Sequence, residues 1–379
     1  MIVNYYSYSF LILGDDKMKS KILFTGGGSA GHVTPNIAII SKVKKDFDVI
    51  YVGSKDGIEK KLINDIGTKY FEISTGKLRR YFSIKNFTDP FKVILGFSEA
   101  SSIMKREKPN IVFSKGGFVS VPVVIAAYFN NIPVVLHESD ITPGLANKIC
   151  IPFCKKVCVT FEECLNKIGS KKAVLTGPPI RDELLNGSRL LGEEFCKFKV
   201  RKPVLLLMGG SSGSLKLNKI LRESLPEILI KFNVVHLCGK NNLDNQIVKL
   251  DGYKQYEYLT GELANVMTMA DVIVSRAGSN SIFEILALRK PNLLIPLSKS
   301  ASRGDQILNA KSFEKKGYSS VLMEEDLSND KFISSVSELY NNRNFYIKNM
   351  NNTYADDGVK KVINVIDAVL DEKFKKVTV

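Results

Sequence analysis

Four short motifs occur twice in this chain, in the same order, and that duplication limits the possible folds more than any other feature. Ile-Leu-Phe-Thr-Gly-Gly-Gly (22–28) matches Leu-Leu-Leu-Met-Gly-Gly-Ser (205–211), and Val-Ile-Tyr-Val-Gly (49–53) matches Val-Val-His-Leu-Cys-Gly (234–239). Val-Phe-Ser-Lys-Gly-Gly (112–117) matches Ile-Val-Ser-Arg-Ala-Gly (273–278), and Ile-Pro-Val-Val-Leu (132–136) matches Lys-Pro-Asn-Leu-Leu-Ile (290–295). The offsets lie between 158 and 186 residues. A chain of 379 residues has room for two domains, and two halves of one plan are the economical explanation.

Strand-forming runs are expected at 21–25, 49–52, 111–114, 134–137 and 156–159, and again at 204–208, 234–237, 272–275, 292–296 and 319–322. Amphipathic helical patterns fill most gaps between them. The alternation predicts an α/β protein of two doubly wound, Rossmann-like domains facing a cleft. Gly177-Pro178-Pro179 interrupts either kind of element and marks the boundary. The expected units are 18–178, 179–354 and a last helix within 355–379. Residues 1–17 read as an extension, because Met18-Lys-Ser-Lys leads straight into the first strand as a natural start does.

Charged residues are 25% and apolar residues 44%, values of an ordinary globular chain. The longest nearly apolar run, Gly117 to Phe129, is too short to span a bilayer and contains Ser120 and Pro122. The short Phe10 to Leu13 run lacks the basic flank of a signal peptide. Six cysteines without secretory spacing point to a reduced compartment; those at 150, 154, 158 and 164 lack the spacing and histidine of a zinc set and read as small apolar fillers. The net charge of +15 sits mainly in residues 1–178, where 25 Lys/Arg face 15 Asp/Glu. Such a half suits phosphorylated substrates, anionic lipid or nucleic acid, though compositional drift in a Lys-, Asn- and Ile-rich chain also supplies charge. No nucleic-acid-binding module is recognisable.

The Gly-rich turns carry the chemistry. Gly26-Gly-Gly-Ser-Ala-Gly31-His32 follows a strand and opens a helix, where free N–H groups face an anion. Its glycines formally fit a dinucleotide fingerprint, but the second strand ends in Gly53-Ser54 and not in the acid that a nicotinamide ribose needs. Gly209-Gly-Ser-Ser-Gly213-Ser214 and Ser275-Arg-Ala-Gly-Ser-Asn-Ser-Ile-Phe-Glu284 repeat the arrangement. Glu284 lies a turn into its helix, placed either for a ribose diol or as a helix N-terminal acid. Asp46-Phe-Asp48 has the letters of a metal-binding Asp-x-Asp but precedes its strand, at the wrong end of a sheet.

With His-Glu-Ser-Asp-Ile-Thr-Pro-Gly-Leu-Ala-Asn-Lys (137–148) and Gly-Pro-Pro-Ile-Arg (177–181), these motifs resemble the GT-B glycosyltransferases that complete the lipid-linked peptidoglycan precursor. The resemblance runs from about Lys19 to Leu370. It implies transfer of GlcNAc from UDP-GlcNAc to the C4 hydroxyl of undecaprenyl-diphospho-MurNAc-pentapeptide (lipid I to lipid II), inverting at the anomeric carbon. The N-terminal half would take the acceptor, the C-terminal half the donor, and the last helix would pack back on the first half.

By motif, Ser29, Ala30, Gly31 and His32 would face the transferred sugar and acceptor. Asp140 would approach the donor, where some relatives have Asn. Arg181 and Ser211 would lie near the diphosphate, Thr260 near uracil, and Ser279, Asn280 and Ser281 at the diphosphate turn. Glu284 would lie at the ribose and Gln306 at GlcNAc, with Asp305 beside it. His32 is the expected general base or an orienting group; His137 and Glu138 are its rivals, while His236 reads as a core residue. No cofactor or metal is expected, because helix N-termini and Arg181 can hold the leaving diphosphate. A diacylglycerol glycosyltransferase, a UDP-GlcNAc epimerase and, from another class, a basic nucleic-acid-binding protein are the alternatives.

The resemblance places the protein peripherally on the cytoplasmic face of the cell membrane, with cell-wall synthesis proteins as candidate partners. Residues 76–92 interleave Lys77, Arg79, Arg80, Lys85 and Lys92 with Leu78, Tyr81, Phe82, Ile84, Phe87 and Phe91, around one acid, Asp89. An anionic membrane surface is the expected partner of this segment, through Leu78, Phe82 and Ile84 ringed by the basic residues.

Overall fold

A computed structural model of the chain describes residues 19–76, 85–210, 213–247, 250–351, 353 and 357–377. Residues 1–17, Ser211 and the run from Lys77 to Ile84 lie outside the described residues, as does the side chain of Lys85.

The first sheet contains β1 (Lys21–Thr25), β2 (Asp48–Ser54), β3 (Lys69–Ile73), β4 (Ile111–Ser114), β5 (Val134–Glu138), β6 (Lys156–Val159) and β7 (Ala173–Leu175). All seven are parallel, in the order β3-β2-β1-β4-β5-β6-β7. The second contains β8 (Val204–Met208), β9 (Asn233–Leu237), β10 (Tyr253–Tyr256), β11 (Val272–Ser275), β12 (Asn292–Leu294) and β13 (Ser320–Val321), parallel in the order β10-β9-β8-β11-β12-β13. Two doubly wound Rossmann-like domains are present, as the alternation predicts.

The central strands are buried along their whole length, which is why they read as continuous apolar runs. Three strands absent from the sequence expectation, β3, β7 and β10, lie at sheet edges. β3 and β10 have mixed side chains, Lys-Tyr-Phe-Glu-Ile and Tyr-Lys-Gln-Tyr, and β7 is only Ala-Val-Leu, so no long buried run announces them.

One face of the first sheet packs against helices Lys85–Glu107 and Ser120–Phe129. The other face carries helix Thr34–Val43 and the last helix, Gly358–Val377. Val362 and Ile366 of that last helix are fully buried in one cluster with Ile22, Phe24, Ile111 and Phe113. Each such side chain contributes about 1.5–3 kcal/mol by burial. The C-terminal segment therefore straps onto the first sheet after the chain has built the second. Asp48 opens β2 and pairs with Lys21 at 3.1 Å, at the amino end of the sheet, away from the Gly-rich turns.

Doubly wound sheets leave a crevice where the strand order reverses. In the first sheet that point lies between β1 and β4, and in the second between β8 and β11. The turns that leave these four strands are the three Gly-rich loops and Lys115-Gly116-Gly117. The duplicated motifs thus mark the two switch points.

Candidate active site

The first Gly loop folds against the turn after β4. Gly27 N–H donates to Gly116 O at 3.4 Å, and a Cβ on Gly117 would come within 2.3 Å of Gly27 O. From below, the buried Glu59 carboxylate accepts Gly28 N–H at 3.1 Å and Ser54 N–H at 3.2 Å. A single helical turn, Ala30–His32, follows and runs into helix Thr34–Val43, leaving Gly28, Ser29 and Gly31 exposed.

His32 turns back over its own loop. Its Nδ1 lies 3.1 Å from Gly27 O and 3.1 Å from Ser29 Oγ. A carbonyl can only accept, so neutral His32 carries its proton on Nδ1, and Nε2 holds the lone pair. Burial, reinforced by the Lys115 ammonium, pushes its pKa down to about 4. His32 is therefore held neutral at pH 7, chiefly by burial.

Glu138 and His137 end β5 and are both buried. Glu138 accepts hydrogen bonds from Asp140 N at 2.9 Å, Gly144 N at 3.1 Å and Asn147 Nδ2 at 2.7 Å. Both carboxylate oxygens are thus occupied in shaping the turn after β5. His137 Nε2 lies 3.1 Å from Gly177 O and so donates to the linker between the sheets. His236 is a core histidine, held between Tyr253 Oη at 2.8 Å and Asn218 Oδ1 at 2.9 Å.

Across the cleft, helix Ser279–Ala287 starts at Gly278 with no side-chain cap. Ser279 Oγ donates to Ser139 O at 2.6 Å, and Asn280 Nδ2 donates to Gly31 O at 2.9 Å. These side chains therefore join the two halves directly, which their placement at a diphosphate turn does not anticipate. Asn309 Nδ2 adds a third contact, to Asp140 Oδ1 at 3.1 Å. Phe161, of the first half, packs edge-on against Phe283 at 5.0 Å.

Beside this junction, Thr34, Pro35, Pro178, Ile180, Arg181 and Glu284 line a cavity between the halves. Arg181 Nε is buried without a hydrogen-bond partner. Burial pushes the Glu284 carboxyl up to about 7, with Arg181 opposing the shift. The cavity thus brings together an unpartnered guanidinium N–H and a carboxyl of raised pKa. Ser281 lies in the same first turn. Gln306 Oε1 accepts Leu297 N–H at 3.1 Å in helix Asp305–Lys315, where Asp305 pairs with Arg303 at 2.8 Å. Thr260 is exposed in the segment between β10 and helix Leu263–Met269.

The second Gly loop is held by Ser214, whose hydroxyl caps helix Leu215–Lys231, and by Arg276. Arg276 reaches Ser214 Oγ at 2.8 Å and Glu324 at 2.5 Å, binding both turns of the second half to one buried ion pair. The cysteines are buried free thiols, and burial raises Cys150 and Cys158 to about 12.

Sequence reasoning passed over Glu59, Lys115, Arg276 and Asn309. One signal was available: Lys115 and Arg276 are the same position of the duplicated motif, basic in both copies.

Comparison with known families agrees with this geometry. Residues 22–159 match the glycosyltransferase family 28 N-terminal domain, and residues 204–366 match the family's C-terminal domain. The chain belongs to glycosyltransferase family 28. A Clostridium tetani protein named UDP-N-acetylglucosamine--N-acetylmuramyl-(pentapeptide) pyrophosphoryl-undecaprenol N-acetylglucosamine transferase is 59% identical over 92% of this chain and 98% of its own length. A Clostridium novyi protein of the same name is 57% identical over 94% and 99%. The crystal structure of Acinetobacter baumannii MurG superposes with a TM-score of 0.72 at 22% identity, over 92% of this chain and 99% of that one. A UDP-GlcNAc 2-epimerase from Neisseria meningitidis reaches 0.64 at 14% identity, over 92% and 99%, so the architecture is shared beyond transferases. This family member is a glycosyltransferase with the GT-B arrangement.

Proposed function

We propose that this enzyme moves GlcNAc from UDP-GlcNAc to the C4 hydroxyl of undecaprenyl-diphospho-MurNAc-pentapeptide, the step from lipid I to lipid II in peptidoglycan synthesis. The observation that carries the reading is one cavity between the halves, with Thr34 and Pro35, which follow directly on the His32 turn, on one side and Arg181 and Glu284 on the other. It occurs in a chain 59% identical to a protein named for that transfer.

In this reading Glu284 accepts hydrogen bonds from the donor ribose, and Arg181 with the turns at Ser211 and Ser279–Ser281 holds the diphosphate. Thr260 lies toward uracil and Gln306 toward GlcNAc. His32 Nε2 takes the proton of the attacking C4 hydroxyl while Ser29, Ala30 and Gly31 shape the acceptor side. The negative charge arriving with the substrates raises the imidazole basicity toward the working range. Glu138 holds the Asp140–Gly144 turn and leaves proton transfer to His32, because its own oxygens already accept three donors.

The test is incubation of the purified enzyme with UDP-GlcNAc, with and without the lipid acceptor, and mass spectrometry of the products. The reading expects a GlcNAc-bearing lipid and acceptor-dependent UDP release. Conversion of UDP-GlcNAc without acceptor would support the epimerase alternative instead.

Glu284→Ala should weaken UDP-GlcNAc binding at least tenfold, the loss expected for a charged hydrogen bond of about 1–3 kcal/mol. Donor binding needs the carboxylate, and the free carboxyl titrates at about 7. Affinity should therefore fall as pH drops below about 7, and Glu284→Gln should remove that dependence. Calorimetry from pH 5.5 to 8 measures both; a parent affinity independent of pH would contradict the ribose assignment.

The acceptor's lipid tail requires contact with a membrane surface, and the same proposal extends to the cytoplasmic face of the cell membrane. Among the described residues no helix is long and apolar enough to cross a membrane. Phe91, Ile94 and Leu95 of helix Lys85–Glu107 are 75%, 64% and 52% exposed, and Phe129 is 66% exposed at the end of the helix packed beside it. This apolar strip follows the basic and aromatic segment 76–92 in the sequence and supports peripheral docking on anionic lipid. Phe91→Ser, Ile94→Ser and Leu95→Ser together should reduce sedimentation with phosphatidylglycerol vesicles at least fivefold and spare transfer to a short-chain soluble acceptor. Unchanged sedimentation would remove this strip from the docking face.

A further inference from the structure

The two switch points carry equivalent buried cations, and among the described residues only Arg276 meets a carboxylate at ion-pair distance. Arg276, at the end of β11, meets Glu324 at 2.5 Å and also donates to Ile295 O at 3.0 Å. Lys115, at the end of β4, is 1% exposed, and among the described residues no carboxylate comes within ion-pair distance of it. Its ammonium donates to Ser139 Oγ. Burial pushes it down to about 8, and Glu138 and Asp140 oppose that shift through space. Asp140 is itself raised by burial and by Asp305, and lowered by Asn309, Lys115 and Arg303.

Ser139 and Asp140 are where the halves meet. Ser139 O accepts from Ser279 Oγ, and Asp140 Oδ1 accepts from Asn309 Nδ2, which also donates to Ala277 O at 3.2 Å. A chain of contacts thus runs from the buried ammonium through the end of β5 to the start of the donor-side helix. Lys115 also lies under the first Gly loop, its Cβ 3.1 Å from where a Cβ on Gly26 would stand.

We propose that Lys115 is a positioning residue for the transfer reaction, its buried charge compensating Asp140 so that Ser139–Asp140 stays docked on the donor-binding half. The inference rests on the transferase reading above. Without the ammonium, the Asp140 carboxylate keeps only Asn309 and Arg303 against burial and the nearby Asp305 and Glu138, which disfavours its charged form at the interface. An asparagine at 140 keeps the shape and the oxygen that Asn309 reaches, and it removes the need for a counter-charge. The two positions are therefore coupled.

The test is a double-mutant cycle on the full chain, with kcat and donor KM measured for the parent, Lys115→Met, Asp140→Asn and the double variant. Lys115→Met should lower kcat at least tenfold, and adding Asp140→Asn should restore at least threefold of that loss. Thermal midpoints should follow the same order. If Lys115→Met gives no soluble protein, recovery of soluble, active protein in the double variant supports the coupling, and no recovery overturns it. Losses that simply multiply, or a Lys115→Met enzyme equal to the parent, also overturn it. A parent that does not transfer GlcNAc would instead refute the transferase reading itself.

Discussion

Replacing His32 with alanine should lower kcat by about 10²-fold or more while leaving UDP-GlcNAc affinity within about twofold of the parent. His32 is not among the residues that line the cavity with Arg181 and Glu284, so in the proposed reading its removal takes nothing from the ribose or diphosphate contacts. Gly27 O fixes the Nδ1 proton at 3.1 Å and thereby presents Nε2 as the acceptor. His32→Gln keeps a hydrogen-bonding group but cannot take up a proton at neutral pH, so it should remain as impaired as alanine. A glutamine variant with near-parental turnover at saturating substrates would show that the residue only orients the loop.

Gly117→Ala should damage the enzyme at least as severely without removing any substrate contact. Gly117 has φ +84, where an added Cβ is strained, and that Cβ would lie 2.3 Å from Gly27 O and 3.3 Å from His32 Nδ1. The nearest obstacle is backbone, so relief requires the first Gly loop to move away from the β4 turn, carrying His32 with it. Turnover should fall by 10²-fold or more, with a stability loss of about 2–4 kcal/mol. Gly67→Ala is the control: its φ is +68, but nothing lies within 4 Å of the added Cβ. That change should cost about 1 kcal/mol and leave turnover intact. Equal turnover losses in the two variants, measured beside their thermal midpoints, would show that general destabilisation accounts for the Gly117 effect.

The contrast between these glycines shows what a sequence makes legible. Repeated Gly-rich turns after buried strands announced both sheets and both switch points, because backbone crossing so close to a neighbour tolerates no side chain. The central strands were equally plain, since burial on both faces writes a continuous apolar run. Edge strands β3, β7 and β10 were not, because β3 and β10 mix charge with aromatics and β7, Ala-Val-Leu, is only three residues long. At the site, residues inside compact motifs, such as His32 and Glu284, could be singled out by chemistry and spacing. Lys115 left one trace, its basic place in the duplicated motif. Glu59 and Asn309 could not be singled out, for they matter through partners 31 and 169 positions away, and only folding brings those partners together. The same holds for Ser279 and Asn280, whose side chains cross to Ser139 and Gly31.

The account's central claim is a single displacement across this cleft, with the acceptor hydroxyl activated from the His32 wall while UDP departs on the Glu284 wall. The anomeric configuration of the product tests it most directly. GlcNAc is α-linked in the donor, and one displacement with a general base inverts it. Nuclear magnetic resonance of the product formed by the parent enzyme from UDP-GlcNAc and a short-chain acceptor should show a β-linked GlcNAc at C4 of the muramyl sugar. An α-linked product would require a second displacement through a protein nucleophile and would contradict the account.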